Sequence, residues 1–350
     1  MIILEMLSIT LTATILIISA AILFLRKKTT KCLHSIPGPR VFPIVGNALQ
    51  LADKTKFLNR LLQWHHQFGD RYLFSIGPTN TLVLADLKDL KTVLESQSLL
   101  SKGHAYYFTR SWLGNGLLVS KGNKWRIRRK ILTPAFHFKI LELFQSVSNE
   151  QSMILVKLMK RKHEKCEPCL IHNMISLCAL GIICDAALGT RLRCQEESSV
   201  YTQAVMKQSE YIFNRLISPW FHNNYIWSRW GHGEAEKKNL AILNDFIHQI
   251  IVERKTMYKK SKKNLDIGGN EPLTAERLAF LDLLIEIQSK TETSLTDDDI
   301  YEETATFTFE GHDTTAAGLT WTLYLLSKHP EYQESVHDEL KTIFARFPVR

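Results

Sequence analysis

Two short stretches of this sequence carry residue types that could do chemistry together. In Trp125-Arg126-Ile127-Arg128-Arg129-Lys130, Trp125 and Arg129 stand at i and i+4 and share a helix face. One offers an indole N–H and the other a guanidinium fork, so the pair could clamp a carboxylate through charge-assisted hydrogen bonds. A solvated basic helix is the other reading of the same residues. In Phe309-Glu310-Gly311-His312-Asp313-Thr314-Thr315-Ala316-Ala317-Gly318, the residues Glu310, Asp313 and Thr314 fall at i, i+3 and i+4. They share a face inside an otherwise apolar stretch with Phe307, Leu319 and Trp321. Acids and hydroxyls that face a core are costly unless they are satisfied or used. Gly311 and the two threonines can loosen the helical ladder and leave room for a ligand or water. A locally satisfied polar kink is the alternative.

These residues need helices to position them, and the chain supplies the pattern. Ile140, Leu143, Phe144 and Val147 repeat at i, i+3, i+4 and i+7, and Leu240, Leu243, Ile247, Ile250 and Ile251 do the same. Thr296 is placed to cap a long helix opened by Asp297, Asp298 and Asp299, whose charges suit the positive helix end. That helix is expected to run to about Lys328, where His329-Pro330 stops it. Nearer the amino terminus, Lys54 to Phe68 reads as an amphipathic helix. Tyr72, Phe74 and Ile76 alternate as a strand, Gly77-Pro78-Thr79-Asn80 reads as a turn, and Leu82 to Leu84 continue as a second strand. Lys255 to Asn264 is basic and is expected to be a solvated loop.

Met6 to Leu25 carries no charge and as a helix would span ~30 Å, one hydrocarbon core. Arg26, Lys27, Lys28 and Lys31 follow it and only Glu5 precedes it, so the bulk of the chain is expected on the cytosolic side. The proline-rich run Ser35 to Pro43 is then a stiff, non-helical hinge. The chain has 350 residues, 45% hydrophobic and 23% charged, which excludes disordered and collagen-like classes. A net charge of +9, spread along the chain, gives no reason to expect a nucleic-acid partner. Six cysteines in a cytosol-facing chain of this length do not make a disulfide scaffold. His163-x-x-Cys166-x-x-Cys169-x-x-His172 has metal-ligand residue types, but one Cys-x-x-Cys pair between evenly spaced histidines fits no known finger, so an inter-helix loop is favoured. Cys178 and Cys184 read as small core residues of an apolar helix.

Taken in order, these features resemble the cytochrome P-450 superfamily, specifically its family-4, fatty-acid hydroxylase type. The likeness rests on the anchor, the Pro37-Gly38-Pro39 hinge, the early hairpin, and Trp125-x-x-x-Arg129 followed by Leu132-Thr133-Pro134-Ala135-Phe136-His137-Phe138. It is completed by Glu310-Gly311-His312-Asp313-Thr314-Thr315 with His329-Pro330 behind it, and Glu310 ahead of Gly311 points to family 4. The resemblance implies a mainly α fold with a small β-sheet near the amino terminus and one amino-terminal transmembrane helix. The implied organisation is residues 1–31 as anchor (helix about 6–25) with its basic flank, 32–46 as hinge, and 47–350 as part of a haem monooxygenase domain.

The resemblance also implies roles. Trp125 and Arg129 would bond the haem propionates, and Glu310 and Gly311 would stand against the haem, Glu310 matching a glutamate that can form an ester with a haem methyl. Asp313 and Thr314 would stand beside dioxygen and relay protons through water. The loop Tyr106 to Leu118, with Tyr107, Phe108, Trp112 and Leu117, would cap an apolar substrate pocket. Arg126, Arg128 and Lys130 would attract an acidic electron donor, an NADPH-cytochrome P-450 reductase. The expected activity is monooxygenation of a fatty acid or similar small lipophilic molecule at the endoplasmic reticulum membrane, on its cytosolic side.

The sequence departs from the family in one respect. The Glu-x-x-Arg helix and the Gly-rich loop with the cysteine that ligates iron are not found in these residues. None of Cys32, Cys166, Cys169, Cys178, Cys184 or Cys194 lies in a Phe-Gly-Arg-Cys context, so no metal ligand is assigned. The chain is therefore expected to be a carboxy-terminally truncated member that binds haem poorly and does not hydroxylate by itself. A non-catalytic truncated product and a membrane-tethered helical interaction protein are the alternatives.

Overall fold

The computed structural model describes residues 33, 35–136, 138–196, 200–266, 279–289 and 295–346. The expected anchor, Met6 to Leu25, lies outside them. No helix among the described residues is long and apolar enough to cross a membrane. Among the described residues the fold is mainly helical with one two-stranded sheet. The chain divides into two compact units, one of residues up to Thr109 with Lys207–Asn239, the other of Arg110–Met206 with the chain from Leu240 onward.

In the first unit, helix α1 (Phe57–Phe68) follows a short 3-10 turn at Lys54–Lys56 and lays its apolar stripe on the hairpin of β1 (Arg71–Ile76) and β2 (Thr79–Leu84). The strands are antiparallel, with Ile76 opposite Thr79 and Ser75 opposite Asn80. The turn is thus only Gly77-Pro78, and Thr79 and Asn80 already belong to the second strand, tighter than the sequence suggested. Trp64, Tyr72, Phe74 and Ile76 form its core with Ala48 and Leu51. Helix α2 (Leu87–Glu95) follows, capped by Asp86. The 207–239 segment is held by Glu236, which accepts from Gln208 Nε2 at 2.8 Å and from Trp227 Nε1 at 2.5 Å.

The second unit contains the short helix α3 (Arg110–Leu113), α4 (Gly122–Leu132), α5 (Phe138–Glu164), α6 (Ile171–Ala186), α10 (Phe280–Ser289), α11 (Asp297–Lys328) and α12 (Pro330–Arg346). Helices α7 (Val200–Ile217), α8 (Asn224–Trp230) and α9 (Gly233–Asp266) complete the chain order. The spine is α11, against which α6 packs along its length. Ile175, Cys178, Ala179, Leu180 and Cys184 of α6 are buried, as an all-apolar central helix requires. Burial pushes the Cys178 thiol up to about 11. Hydrogen bonding to Cys194 and burial hold Cys184 well above its usual range. Both cysteines are core residues. Thr296 and Asp299 close a reciprocal capping box at the start of α11, with Asp299 N to Thr296 Oγ1 at 3.1 Å and Thr296 N to Asp299 Oδ2 at 3.0 Å. His329 ends α11, and Pro330 stands at the first position of α12, where its missing N–H costs nothing.

The basic segment from Lys255 to Asn264 is helix, not loop, since α9 continues to Asp266. Lysines are good helix formers, and neighbouring charges find partners: Arg254 makes paired bonds to Asp282 at 2.6 and 2.5 Å, and Lys255 reaches Asp297 at 2.6 Å. Large apolar side chains stand exposed on the last turns of α11, including Leu319, Trp321 and Leu325, and on α12 at Tyr332, Leu340 and Phe344.

Candidate functional site

Successive residues of a helix point ~100° apart, and α4 uses that offset to face two ways. Arg128 is buried and pairs with Asp299, its Nε also standing 3.8 Å from Glu303 Oε1. Arg129 instead looks onto a cavity of about 270 Å³ lined by Leu117, Leu132, Thr133, Phe136 and Phe307. Among the described residues its guanidinium has no ion-pair partner. Trp125 is half-buried one turn earlier on the Arg129 face. Of the Trp125–Arg129 pair, Arg129 lines the apolar slot, and Trp125 shares its helix face one turn away without lining it. Arg128 is a correction: it cannot steer a partner protein, because it lies under the surface between two carboxylates. Arg126 and Lys130 are exposed, as is Arg129 at the open side of the cavity.

The far wall of the cavity belongs to α11. Phe307 stacks on Phe136 at 5.2 Å between centroids and lies 4.4 Å from Phe280. Phe307, Glu310 and Thr314 fall at i, i+3 and i+7, so the face that closes the cavity continues to the acid and the alcohol. Glu310 and Asp313 are half-buried and Thr314 is exposed, its hydroxyl donating to the Glu310 carbonyl at 2.7 Å. This face is not sunk in a core as the sequence suggested. The fully buried polar groups of α11 are Glu303, Thr304, Thr306, Thr308 and His312. His312 donates Nδ1–H to the Thr308 carbonyl at 2.7 Å, its Nε2 is buried without a partner, and burial lowers its pKa. A Cβ at Gly311 would stand 2.6 Å from Ile183 Cδ1, so the missing side chain lets α6 close on α11 rather than opening space.

The residues expected to cap a substrate pocket divide. Leu117 lines the cavity. Trp112 is buried, its ring 4.5 Å from Phe309. In the other unit Phe108 is buried against His222 at 5.0 Å and under the Arg215 guanidinium at 5.0 Å, while Tyr107 is exposed. The rings of Phe108 and Trp112 are thus packing residues before they are ligand contacts. The His163, Cys166, Cys169 and His172 groups do not converge: no group of three or more His, Cys, Asp or Glu among the described residues could hold a metal, and His172 Nδ1 faces Thr320 Oγ1 at 3.2 Å.

The sequence reading passes over a charge cluster beside the cavity. Lys124 Nζ lies 2.8 Å from Glu302 Oε2 and 3.4 Å from Asp299 Oδ1. Burial opposes ionisation of Asp299, but the Thr296 backbone and Arg128 hold its pKa down at about 2. Burial pushes Glu303 up to about 7, against the Leu117 amide and Arg128. The signal was present: Lys124 and Arg128 at i, i+4 face Asp299, Glu302 and Glu303 at i, i+3, i+4, two complementary helix stripes.

A guanidinium without an ion-pair partner among the described residues, at an apolar slot with an indole on the same helix face, suits a flat apolar group carrying carboxylates on its edge. The family model described as Cytochrome P450 matches residues 36–348 of the chain. The chain belongs to the cytochrome P450 family. It is 39% identical over 312 residues to cytochrome P450 4V2 of Homo sapiens, covering 88% of this chain and 59% of that protein. It is 36% identical over 349 residues to cytochrome P450 4c3 of Drosophila melanogaster, covering 95% of this chain and 65% of that protein. With cytochrome P450 4c21 of Blattella germanica it shares 36% over 346 residues, 95% of this chain and 67% of that protein. These relatives make it a family-4 cytochrome P450. The chain spans about three fifths of the human relative's length. Cytochromes P450 carry haem, and the slot between α4 and α11 of this P450 suits one by its lining: apolar walls and the Arg129 guanidinium, which has no ion-pair partner among the described residues.

Proposed function

We propose that this P450 is a haem-thiolate monooxygenase of the endoplasmic reticulum membrane, facing the cytosol, that hydroxylates a fatty acid or a similar lipophilic molecule. The observation that carries the reading is the Arg129 guanidinium, without an ion-pair partner among the described residues, at a cavity walled by Leu117, Leu132, Phe136 and Phe307. When bound, haem would supply the iron chemistry that activates dioxygen with electrons from an NADPH-dependent reductase. Arg129 and Trp125 would hold its carboxylates, and Glu310 would hold its rim from the opposite helix. Asp313 and Thr314 would move protons. The Thr314 hydroxyl now donates to the Glu310 carbonyl at 2.7 Å and needs one rotation about χ1 to reach water instead. Apolar walls with few polar groups favour an acyl chain. Exposed Arg126 and Lys130 would contribute to reductase docking, and Met6 to Leu25 to membrane anchoring.

A second reading concerns these residues by themselves. The iron of this family needs a cysteine thiolate, and no cysteine here lies in a Phe-Gly-Arg-Cys context, so these residues would not turn over on their own. A spectrum of the reduced protein under carbon monoxide tests both readings. This chain should show no thiolate-type Soret band and no turnover of a medium-chain fatty acid. The same chain extended by the family's Gly-rich cysteine loop should show both. A thiolate-type band from these residues alone would overturn the second reading, and an extended protein that takes up no haem would overturn the first.

A further inference from the structure

We propose that Glu302 and Glu303 are positioning residues that clip the loop from Gly114 to Leu117 onto α11 and so set one wall of the Arg129 cavity. Its functional meaning rests on the haem-site reading above. The clip itself does not. The Asn115 amide donates to Glu302 Oε1 at 2.7 Å and the Leu117 amide to Glu303 Oε2 at 3.0 Å. Between them Gly116 lies flat on the helix: a Cβ there would stand 2.5 Å from Thr306 Oγ1 and 2.7 Å from the Glu302 carbonyl oxygen. Gly114 turns at φ +56°, and a Cβ there would strike the Glu302 side chain at 2.6 Å. The loop is therefore shaped to the carboxylates, and the Leu117 side chain is left to line the cavity.

The same carboxylates register α4. Lys124 reaches Glu302 and Asp299, and Arg128 reaches Asp299 and Glu303. Arg129, the next residue, faces the cavity. One charge cluster thus sets both the Leu117 wall and the Arg129 wall. Stability alone does not call for such a cluster. Glu303 is 1% exposed, its Oε1 and Arg128 Nη1 lack hydrogen-bond partners among the described residues, and an apolar replacement of buried ions is often neutral or better. What the carboxylates supply is direction: two acceptors aimed at two loop amides.

Hydrogen exchange of the full chain, read by mass spectrometry, tests this with the variants Glu303→Ala, Glu303→Gln and Glu302→Ala. Glu303→Ala should raise exchange about tenfold in peptides covering the 114–118 loop and the following α4 helix, with α6 and α9 unchanged. Glu303→Gln, which keeps an acceptor for the Leu117 amide, should restore most of the protection. Unchanged loop exchange in the alanine variant would overturn the proposal, as would a rise in all peptides together or a glutamine variant that behaves like alanine. If Glu303→Ala does not fold, Glu302→Ala decides: faster exchange confined to the 114–118 loop supports the clip, and none overturns it. No haem is needed for this readout, so a failure of haem binding would sink the cavity's functional reading and leave the clip standing.

Discussion

Replacing Glu303 with glutamine should change how the stability of the fold responds to pH. Burial pushes this carboxyl from its ordinary 4.5 up to about 7, and the bonds from the Leu117 amide and Arg128 offset only part of that. Between those two values the folded chain keeps a proton that the unfolded chain has released. The contribution to stability is therefore fully present below pH 4.5 and is lost as pH rises through about 7. At ~1.4 kcal/mol per pH unit, the loss across the window is roughly 3 kcal/mol. Glutamine cannot titrate, so the loss should vanish in the variant. Burial also lowers the pKa of His222 and His312, whose protonation weakens the fold as pH falls, an opposite slope near the same range. The difference between the two proteins removes that term. Asp299, held at about 2, titrates below the window. Urea unfolding at steps from about pH 5 to 8 should show the variant gaining roughly 2–3 kcal/mol on the wild type and then levelling off. A difference that stays flat across the range would show that Glu303 ionises at no unusual cost, and the buried cluster would have been misread.

Three further substitutions probe the same scaffold. Arg128→Ala leaves Glu303 buried beside fewer cations and should cost about 3–5 kcal/mol in urea unfolding, because one partner of a buried pair is removed. Gly116→Ala should cost about 1–3 kcal/mol, measured the same way, since its new methyl meets the Glu302 carbonyl oxygen 2.7 Å away. Thr296→Ala removes the capping oxygen of α11 and should lower stability by about 1 kcal/mol, with faster amide exchange confined to the first turn of that helix.

Much of this arrangement is legible in the residues alone. The start of α11 is written in Thr296 and Asp299, its end in His329-Pro330, and its length in the absence of any proline between them. The hairpin follows from the alternation of Tyr72, Phe74 and Ile76 up to Gly77-Pro78. Trp125 and Arg129 are recognisable because helical spacing is local and the residue types are rare together. What the sequence does not give is direction around a helix that is basic on several sides. Arg126, Arg128, Arg129 and Lys130 look alike as letters, yet Arg128 is buried because Asp299 and Glu303, far along the chain, are there to receive it. Likewise Thr314 and His312 are equally polar in the sequence, but the packing of α6 against Gly311 buries one face of α11 and leaves the other open. The basic end of α9 misleads for a related reason, since charge density suggests a loop while lysine's own preference and the Lys255–Asp297 pair keep the helix intact.

A fluorescence titration with ferric protoporphyrin puts the cavity to the test most directly. Even if uptake by these residues is weak, quenching of the tryptophans should saturate. Arg129→Ala should weaken it about tenfold, the loss of one charge-assisted contact, while Arg126→Ala, which does not line the cavity, leaves it unchanged. Equal binding by wild type and Arg129→Ala, or the same loss from Arg126→Ala, would mean that the guanidinium at the apolar slot does not receive the porphyrin carboxylates.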